Sequence, residues 1–585
     1  MRPSFGLFGL AALGCQIASA ARVEYWWNIT TATANPDGMY EREVLGVNGT
    51  WPPPDLYVSE NDTLVIHTHN GLDVPTALHA HGMFQNNTNY MDGPTWVTQC
   101  PIPPGYDFTY EFNITQHGTY WIHSHFKGQY MDGLRSALIL KNPNEVYQYD
   151  QEFVVKMCDW YHASSNEGLD VFLNENNPTG AEPVPQSGFM MDNANASLTF
   201  EAGKTYRLRL INVSGFSTMY FSIDGHDLDI IEVDGIDTVR HTVSSVYVAA
   251  AQRVSVLVTA KNTTDTNYYM HMDMDTDMFD VIPDDLVTNV TQVLYYDKSH
   301  SNFAASNDVG MNSDFDDIVL QSYVPETAVE PDHRLNLTFN FDVMTDGINR
   351  GYFNDLPYLS PTIPSFNTMM SMGNLSTNPE VYGPQTRAYV LNHLDMVEIQ
   401  INNLDSGKHP FHLHGHVFQI VARGDGVYSD ETNSSSIQWY IDNPIRRDTV
   451  VVPAESFTII RFRADNPGAW FFHCHVEWHL ESGLAVTMIE APEVAQQRMA
   501  FPQEMQDLCT AGGIPATGNG AGKEGLDLSG APGPVTLIFD GFLPRGKGAM
   551  AACIIAALIG MGTIVWYALA DPEKKAKEIR AAKQL

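Results

Sequence analysis

The reactive side chains are densest over residues 470–484, Trp-Phe-Phe-His-Cys-His-Val-Glu-Trp-His-Leu-Glu-Ser-Gly-Leu. Trp470, Phe471 and Phe472 favour a pleated, half-buried strand. Alternation along it turns Cys474 to one face and His473 and His475 to the other. His479 follows where a turn folds it back beside Cys474. A thiolate with imidazoles suits copper or zinc, and copper is held more tightly. Two histidines, a cysteine and a weak axial donor make the blue-copper pattern, which needs a second histidine from elsewhere. The stretch His409-Pro410-Phe411-His412-Leu413-His414-Gly415-His416 supplies it. There His412 and His414 share a face, while His409, before a proline, is free to turn another way.

Two further pairs lie upstream, His79-Ala80-His81 and His123-Ser124-His125. Each projects both imidazoles from one face of a strand. Four such pairs make eight imidazoles: His79, His81, His123, His125, His412, His414, His473 and His475. His409, Cys474 and His479 form a separate site. Eight imidazoles suit a cluster of several copper ions. One His-x-His is commonplace on surfaces; four, one of them straddling a cysteine, are not, even in a chain with 21 His.

Strands must carry these pairs, and the chain is rich in strand signals. Runs of Val, Thr, Tyr and Phe recur at Asp62–Thr68, Thr109–Phe112, Thr205–Asn212, Arg253–Thr259 and Phe457–Arg463, separated by Gly, Asn, Asp and Pro. That pattern predicts an all-β chain of sandwiches. The length of 585 residues implies several domains. Strand-rich units close near residues 142 and 297, and a third follows an acidic, irregular stretch at 298–335.

The ends are of another kind. Arg2, an apolar run from Phe5 to Ile17 and Ala18-Ser19-Ala20 read as a secretory signal over 1–21. Sequons at Asn28, Asn48, Asn61, Asn86, Asn113, Asn195, Asn212, Asn262, Asn289, Asn336, Asn374 and Asn433 fit a glycosylated, extracytoplasmic chain, with Asn212 expected in a strand. Residues 511–548 read as a flexible stalk, rich in Gly, Ala and Pro. Residues 549–570 carry no charge and are long enough to span a bilayer as a helix. Lys574, Lys575, Lys577, Arg580 and Lys583 then mark 571–585 as a cytoplasmic tail. The net charge of −37 repels phosphate and weighs against nucleic acid as a partner.

The four histidine segments resemble the four copper motifs of the multicopper oxidases, over residues 22 to about 510. Within that family the chain looks most like the fungal membrane-anchored ferroxidases of iron uptake. The resemblance implies three cupredoxin domains, each a Greek-key β-sandwich, at 22–142, 143–297 and 298–510, ahead of the C-terminal transmembrane helix. It implies four copper ions: a blue one on His409, Cys474 and His479, a normal one on His79 and His412, and a coupled pair on His81, His123, His125, His414, His473 and His475. It pairs Cys100 with Cys509 and leaves Cys158 a buried thiol.

By the same resemblance, Glu182, Asp280 and Asp405 are the acidic ligands of Fe(II), with dioxygen as the electron acceptor and a membrane iron permease as partner. Asp92 and Glu477 are the acidic neighbours of the cluster, relaying protons or orienting histidines. Leu484, ten residues after Cys474, stands where many blue-copper sites place a methionine. Ala80 replaces the family's usual aromatic, and Arg350 or Tyr352 falls where its ferroxidases carry a tyrosine. Asp314, Asp316 and Asp317 form an acidic cluster, either a solvated loop or a handover point for Fe(III). The expected location is the plasma membrane with the ectodomain outside, the vacuolar membrane being the alternative. A laccase-like phenol oxidase and a non-catalytic copper protein are the competing functions.

Overall fold

The structure, a computed structural model, describes residues 20–284, 286–299, 301–306, 315–429, 437–538 and 544–584. Most of the expected signal segment, with Cys15, lies outside the described residues, as do Asp314 and the Asn433 sequon.

Three pairs of sheets follow one another along the chain. In the first, Arg22–Ala34, Arg42–Val47, Thr63–Asn70 and Asp107–Asn113 form one sheet. Leu56–Ser59, Leu78–His81, Gly118–Ser124 and Arg135–Lys141 form the other, and Leu64, Ile66, Leu78, Ile122 and Leu138 fill the core between them. The second pair has six and five strands between Gln151 and Tyr295, and the third again six and five between His333 and Glu490. The five expected strands fall within two residues of observed ones. Asn212 lies in the strand Thr205–Asn212 and is fully buried, so its sequon is closed to modification.

The cores of the second and third pairs are continuous. A buried ionic chain also joins them. Arg253 donates to both oxygens of Asp448 at 2.9 and 2.6 Å, and Arg447 Nε donates to Asp234 at 2.8 Å. The Cys100–Cys509 disulfide ties the first sheet pair to the helix Gln503–Ala511, as the resemblance implied.

The expected flexible stalk is a packed segment over its first half. Asn519 is fully buried, Gly520 N–H donates to Val381 O at 2.6 Å, and Asn367 Nδ2 donates to Ala516 O at 2.9 Å. The glycines there serve close approach rather than flexibility: a Cβ on Gly520 would overlap the Tyr382 carbonyl oxygen.

Residues from Leu537 onward form a separate unit. It holds the helix Pro544–Leu569 and the basic helix Pro572–Ala582, which Asp571 caps by accepting from Glu573 N–H at 2.9 Å. The apolar stretch Gly546–Leu569 has 24 residues. At 1.5 Å per residue it reaches roughly 36 Å, more than a hydrocarbon core of about 30 Å.

Candidate metal centre

Strand pairing assembles the histidines. Leu78–His81 lies antiparallel to Gly118–Ser124 with His79 opposite His123, and His409–Leu413 lies against Gly468–Cys474 with His412 opposite His473. His414 and His475 follow just past their strands, fixed by His414 N–H to Phe471 O at 3.0 Å and His475 N–H to Pro410 O at 2.7 Å. Two strand pairs far apart in sequence thus turn eight imidazoles, all buried but the half-buried His125, into one space.

Within it the ligand atoms fall into overlapping triads. His79, His81 and His412 form one, His81, His123 and His475 a second, and His125, His414 and His473 a third, each with nitrogens within 4.8 Å of one another. Most rings are held by one nitrogen and present the other. His79 Nδ1 lies 2.6 Å from Asp92 O, His123 Nδ1 2.9 Å from Ser124 O, and His412 Nδ1 2.9 Å from Asp448 O. Their Nε2 atoms are buried and have no hydrogen-bond partner. His414 Nε2 and His473 Nε2 face each other at 3.1 Å. Burial, reinforced by neighbouring imidazoles, holds His81, His123, His125, His414, His473 and His475 well below the usual histidine pKa. Neutral rings aiming bare nitrogens at a common point are what metal ligation requires, and imidazole suits copper.

Cys474 faces the opposite side. His409, Cys474 and His479 place their ligand atoms within 4.8 Å, with Sγ 3.9 Å from His409 Nδ1 and 3.5 Å from His479 Nδ1. The two Nδ1 atoms are 3.1 Å apart. Burial pushes the His409 pKa down to about 4, against the raising effect of Asp405, and pushes the Cys474 thiol up. A thiol that burial holds protonated loses its proton when it ligates a metal ion, so copper binding here would release a proton. Leu484 is fully buried at this site; Cys474 N–H donates to its carbonyl at 3.0 Å, and its own N–H donates to His479 O at 2.9 Å.

The outer nitrogens of this site end on carboxylates. Glu182 Oε1 lies 2.7 Å from His479 Nε2, and Asp405 Oδ2 lies 3.0 Å from His409 Nε2. Burial raises the Asp405 pKa, but the bond from His409 and the Gly407 N–H outweigh it and bring it to about 2. Both carboxylates keep partial exposure, 16% and 29% of the side chain. Asp280 is exposed, and its loop touches the site through other residues. Phe279 stacks on Phe216 at 5.2 Å, and Phe216 meets the His479 ring edge-on at 6.4 Å. Arg350 pairs with Asp346 at 2.9 Å, and Tyr352 lies on the same short strand, Asn349–Phe353.

The remaining predicted acids sit beside the cluster. Asp92 is fully buried, with Oδ2 2.9 Å from His414 Nδ1, so this one residue orients both His79 and His414. Gly93 beside it adopts φ +105°, and a Cβ there would overlap the Leu78 carbonyl oxygen. Glu477 starts the helix Glu477–Ser482; burial, and then Glu481 one turn on, hold its pKa well above the carboxylate range. Glu481 itself is pushed by burial up to about 7, slightly opposed by Lys127. With His123, His125, His473 and His475 they line a cavity of about 10 Å³, room for one water-sized molecule. A larger one of about 200 Å³, lined by Thr95, Lys127, His125 and Glu481, lies alongside.

The sequence left Asp448 unmarked. It is fully buried, its carbonyl holds His412, its Oδ1 lies 3.4 Å from His81 Nε2, and the Arg253 guanidinium overcomes burial to keep it ionised. Asp316 is 52% exposed and Asp317 17%, and both are paired with arginines. Arg423 Nη1 donates to Asp316 at 2.5 Å and to Asp317 at 2.9 Å, and Arg447 also holds Asp317, so both acids are tied into the ionic chain under the second and third sheet pairs.

Residues 28–145, 151–299 and 357–494 each match a family description reading "Multicopper oxidase". The chain is 44% identical over 611 residues to the iron multicopper oxidase fer1 of Mycosarcoma maydis, covering 97% of this chain and 96% of that protein. Its fold is similar to the crystal structure of Fet3p, described as a multicopper oxidase that functions in iron import, with a TM-score of 0.85 and 36% identity over 89% of this chain and 100% of that one. The laccase from Botrytis aclada is also similar, with a TM-score of 0.74 and 30% identity over 85% of this chain and 92% of that one.

Proposed function

The chain belongs to the multicopper oxidase family, and on that premise we propose that it is a ferroxidase of iron uptake, taking electrons from Fe(II) and delivering four of them to dioxygen to give water. The observation that carries this reading is the pair of partly exposed carboxylates, Glu182 and Asp405, each on the outer nitrogen of an imidazole whose inner nitrogen faces Cys474. Hard oxygen ligands favour Fe(III) over Fe(II), because their attraction grows with the charge of the ion. Iron held there is one imidazole ring from the Cys474 site. Asp280 completes the acidic set from its neighbouring exposed loop. The relatives named as iron or iron transport multicopper oxidases support the same reading.

His409, Cys474 and His479 would hold one copper ion, His79 and His412 a second, and His81, His123, His125, His414, His473 and His475 a coupled pair. Copper, when bound, supplies the one-electron redox chemistry that links the iron donor to dioxygen. The protein does the rest. Cys474 is flanked in sequence by His473 and His475, so one strand links the two sites. Asp92 fixes the rings of His79 and His414. Glu477, whose neutral form burial favours, lines the small cavity and would relay protons to where dioxygen is reduced.

Three cupredoxin domains, 22–142, 143–297 and 298–510, carry these sites, and the apolar stretch Gly546–Leu569 anchors them at the plasma membrane with the catalytic part outside. Fe(III) released there passes to a membrane iron permease. The test is steady-state oxygen consumption by the copper-loaded protein with Fe(II) and with a phenolic donor. Glu182→Ala/Asp405→Ala is expected to lose iron turnover by about 10-fold or more while keeping phenol oxidation. Equal iron turnover in both proteins would move the chain to the phenol oxidases.

A further inference from the structure

The acidic set for Fe(II) comes from two sheet pairs. Glu182 and Asp280 belong to the second, and Asp405 belongs to the third. Lys408 stands at the junction, just ahead of the strand His409–Leu413. Its ammonium reaches across to the loop that carries Asp280. Nζ donates to Asp275 Oδ2 at 2.8 Å and to Asp277 Oδ2 at 2.7 Å. The Asp275 side chain is only 7% exposed, and among the described residues Lys408 is the one cation paired with it. A buried carboxylate stripped of its counter-charge is costly, so Lys408 is what lets Asp275 stay in the seam. Two further bonds fix that carboxylate: Tyr247 O–H donates to Oδ2 at 3.3 Å, and Asp277 N–H donates to Oδ1 at 3.1 Å.

The rest of the loop then lands on the iron side of the copper ligands. Met278 lies over Gly407, where a Cβ would stand 3.4 Å from Met278 Cγ, 3.3 Å from His409 Nε2 and 2.8 Å from Asp405 Oδ2. Phe279 is seated on Phe216. Asp280 comes next in the chain. We propose that Lys408 is a positioning residue for iron: by clamping Asp275 and Asp277 to the third sheet pair, it holds Asp280 within reach of an ion on Glu182 and Asp405. The proposal rests on the ferroxidase reading above. Its sign separates it from plain electrostatics. Lys408 is a positive charge close to a cation site, so long-range repulsion alone predicts tighter Fe(II) binding once it is removed. The clamp predicts weaker binding.

The test uses copper-loaded full-length protein in detergent, with Fe(II) and a phenolic donor. Lys408→Met is expected to raise KM for Fe(II) about 10-fold, with kcat and phenol oxidation held. Lys408→Arg, whose fork holds two carboxylates, restores the wild-type KM. Hydrogen exchange over 275–280 is expected to quicken in Lys408→Met and to stay slow in Lys408→Arg, at equal copper content. Asp277→Asn, which leaves the buried Asp275 paired, moves KM and exchange in the same direction by less. An Fe(II) KM in Lys408→Met that is unchanged or lowered, or that rises with no change in loop exchange, overturns the proposal. Glu182→Ala/Asp405→Ala runs beside these variants. Iron turnover kept in that double variant overturns the ferroxidase reading and the clamp with it; iron turnover lost there but unaltered in Lys408→Met overturns the clamp alone.

Discussion

Leu484, ten residues after Cys474, is fully buried with its backbone bonded to Cys474 and His479, and its side chain has no donor atom. The axial ligand tunes the potential of a blue-copper site. A methionine at 484 adds a weak donor that stabilises the oxidised ion, so Leu484→Met is expected to lower the potential of the Cys474 site; spectroelectrochemical titration reads it directly. Glu477 belongs to the other half-reaction. Glu477→Gln keeps the shape and removes the acid, so reoxidation of the reduced protein by dioxygen should slow by at least about 10-fold while reduction by Fe(II) holds its rate. Stopped-flow mixing of reduced protein with dioxygen separates the two. At this scale the clustering of the histidines was legible because a strand's two-residue period dictates which side chains share a face. Asp448 was not: its partners Arg253 and His81 lie 195 and 367 residues away in sequence, and only the fold brings them near.

Elements repeat that contrast. Alternating apolar residues and turn signals placed the strands, because a half-buried strand must alternate to keep one face in the core. Composition misled at residues 511–548, where glycine suggested freedom. Gly520 is there because Tyr382 leaves no room for a Cβ. Gly520→Ala is therefore expected to cost about 1–3 kcal/mol, as overpacking does, through displacement of the 512–528 segment. Chemical denaturation measures the loss, and limited proteolysis should open the segment in the variant while sparing it in wild type. Asp316 and Asp317 taught the reverse: a run of acids that reads as a solvated loop is partly neutralised by Arg423 and Arg447, which come from strands more than a hundred residues on.

Across the whole molecule, buried ion pairs at the seams between sheet pairs tie stability to pH. Glu232, in the second sheet pair, accepts from Thr119 N–H of the first at 2.6 Å and is held by Arg207 and, at 3.6 Å, by Arg209. Burial raises its pKa, but the two guanidinium groups outweigh burial and bring it to about 2, from an ordinary 4.5. A carboxylate depressed in the folded state stabilises the fold fully above its unfolded pKa, and that contribution fades as pH falls from about 4.5 through about 2. The shift corresponds to roughly 3 kcal/mol, little screened because the side chain is 1% exposed. Glu232→Gln cannot ionise and leaves Arg207 buried without its closest partner, so it should be clearly less stable than wild type at pH 7. The gap between the two unfolding temperatures should then narrow between pH 4.5 and pH 2, because wild type loses what the variant never had. Copper-free samples at matched ionic strength are required, since bound copper would leave its histidines in the same acid range and move both curves. A gap that stays constant down to pH 2 would mean that Glu232 does not titrate in the folded protein as its ion pairs dictate.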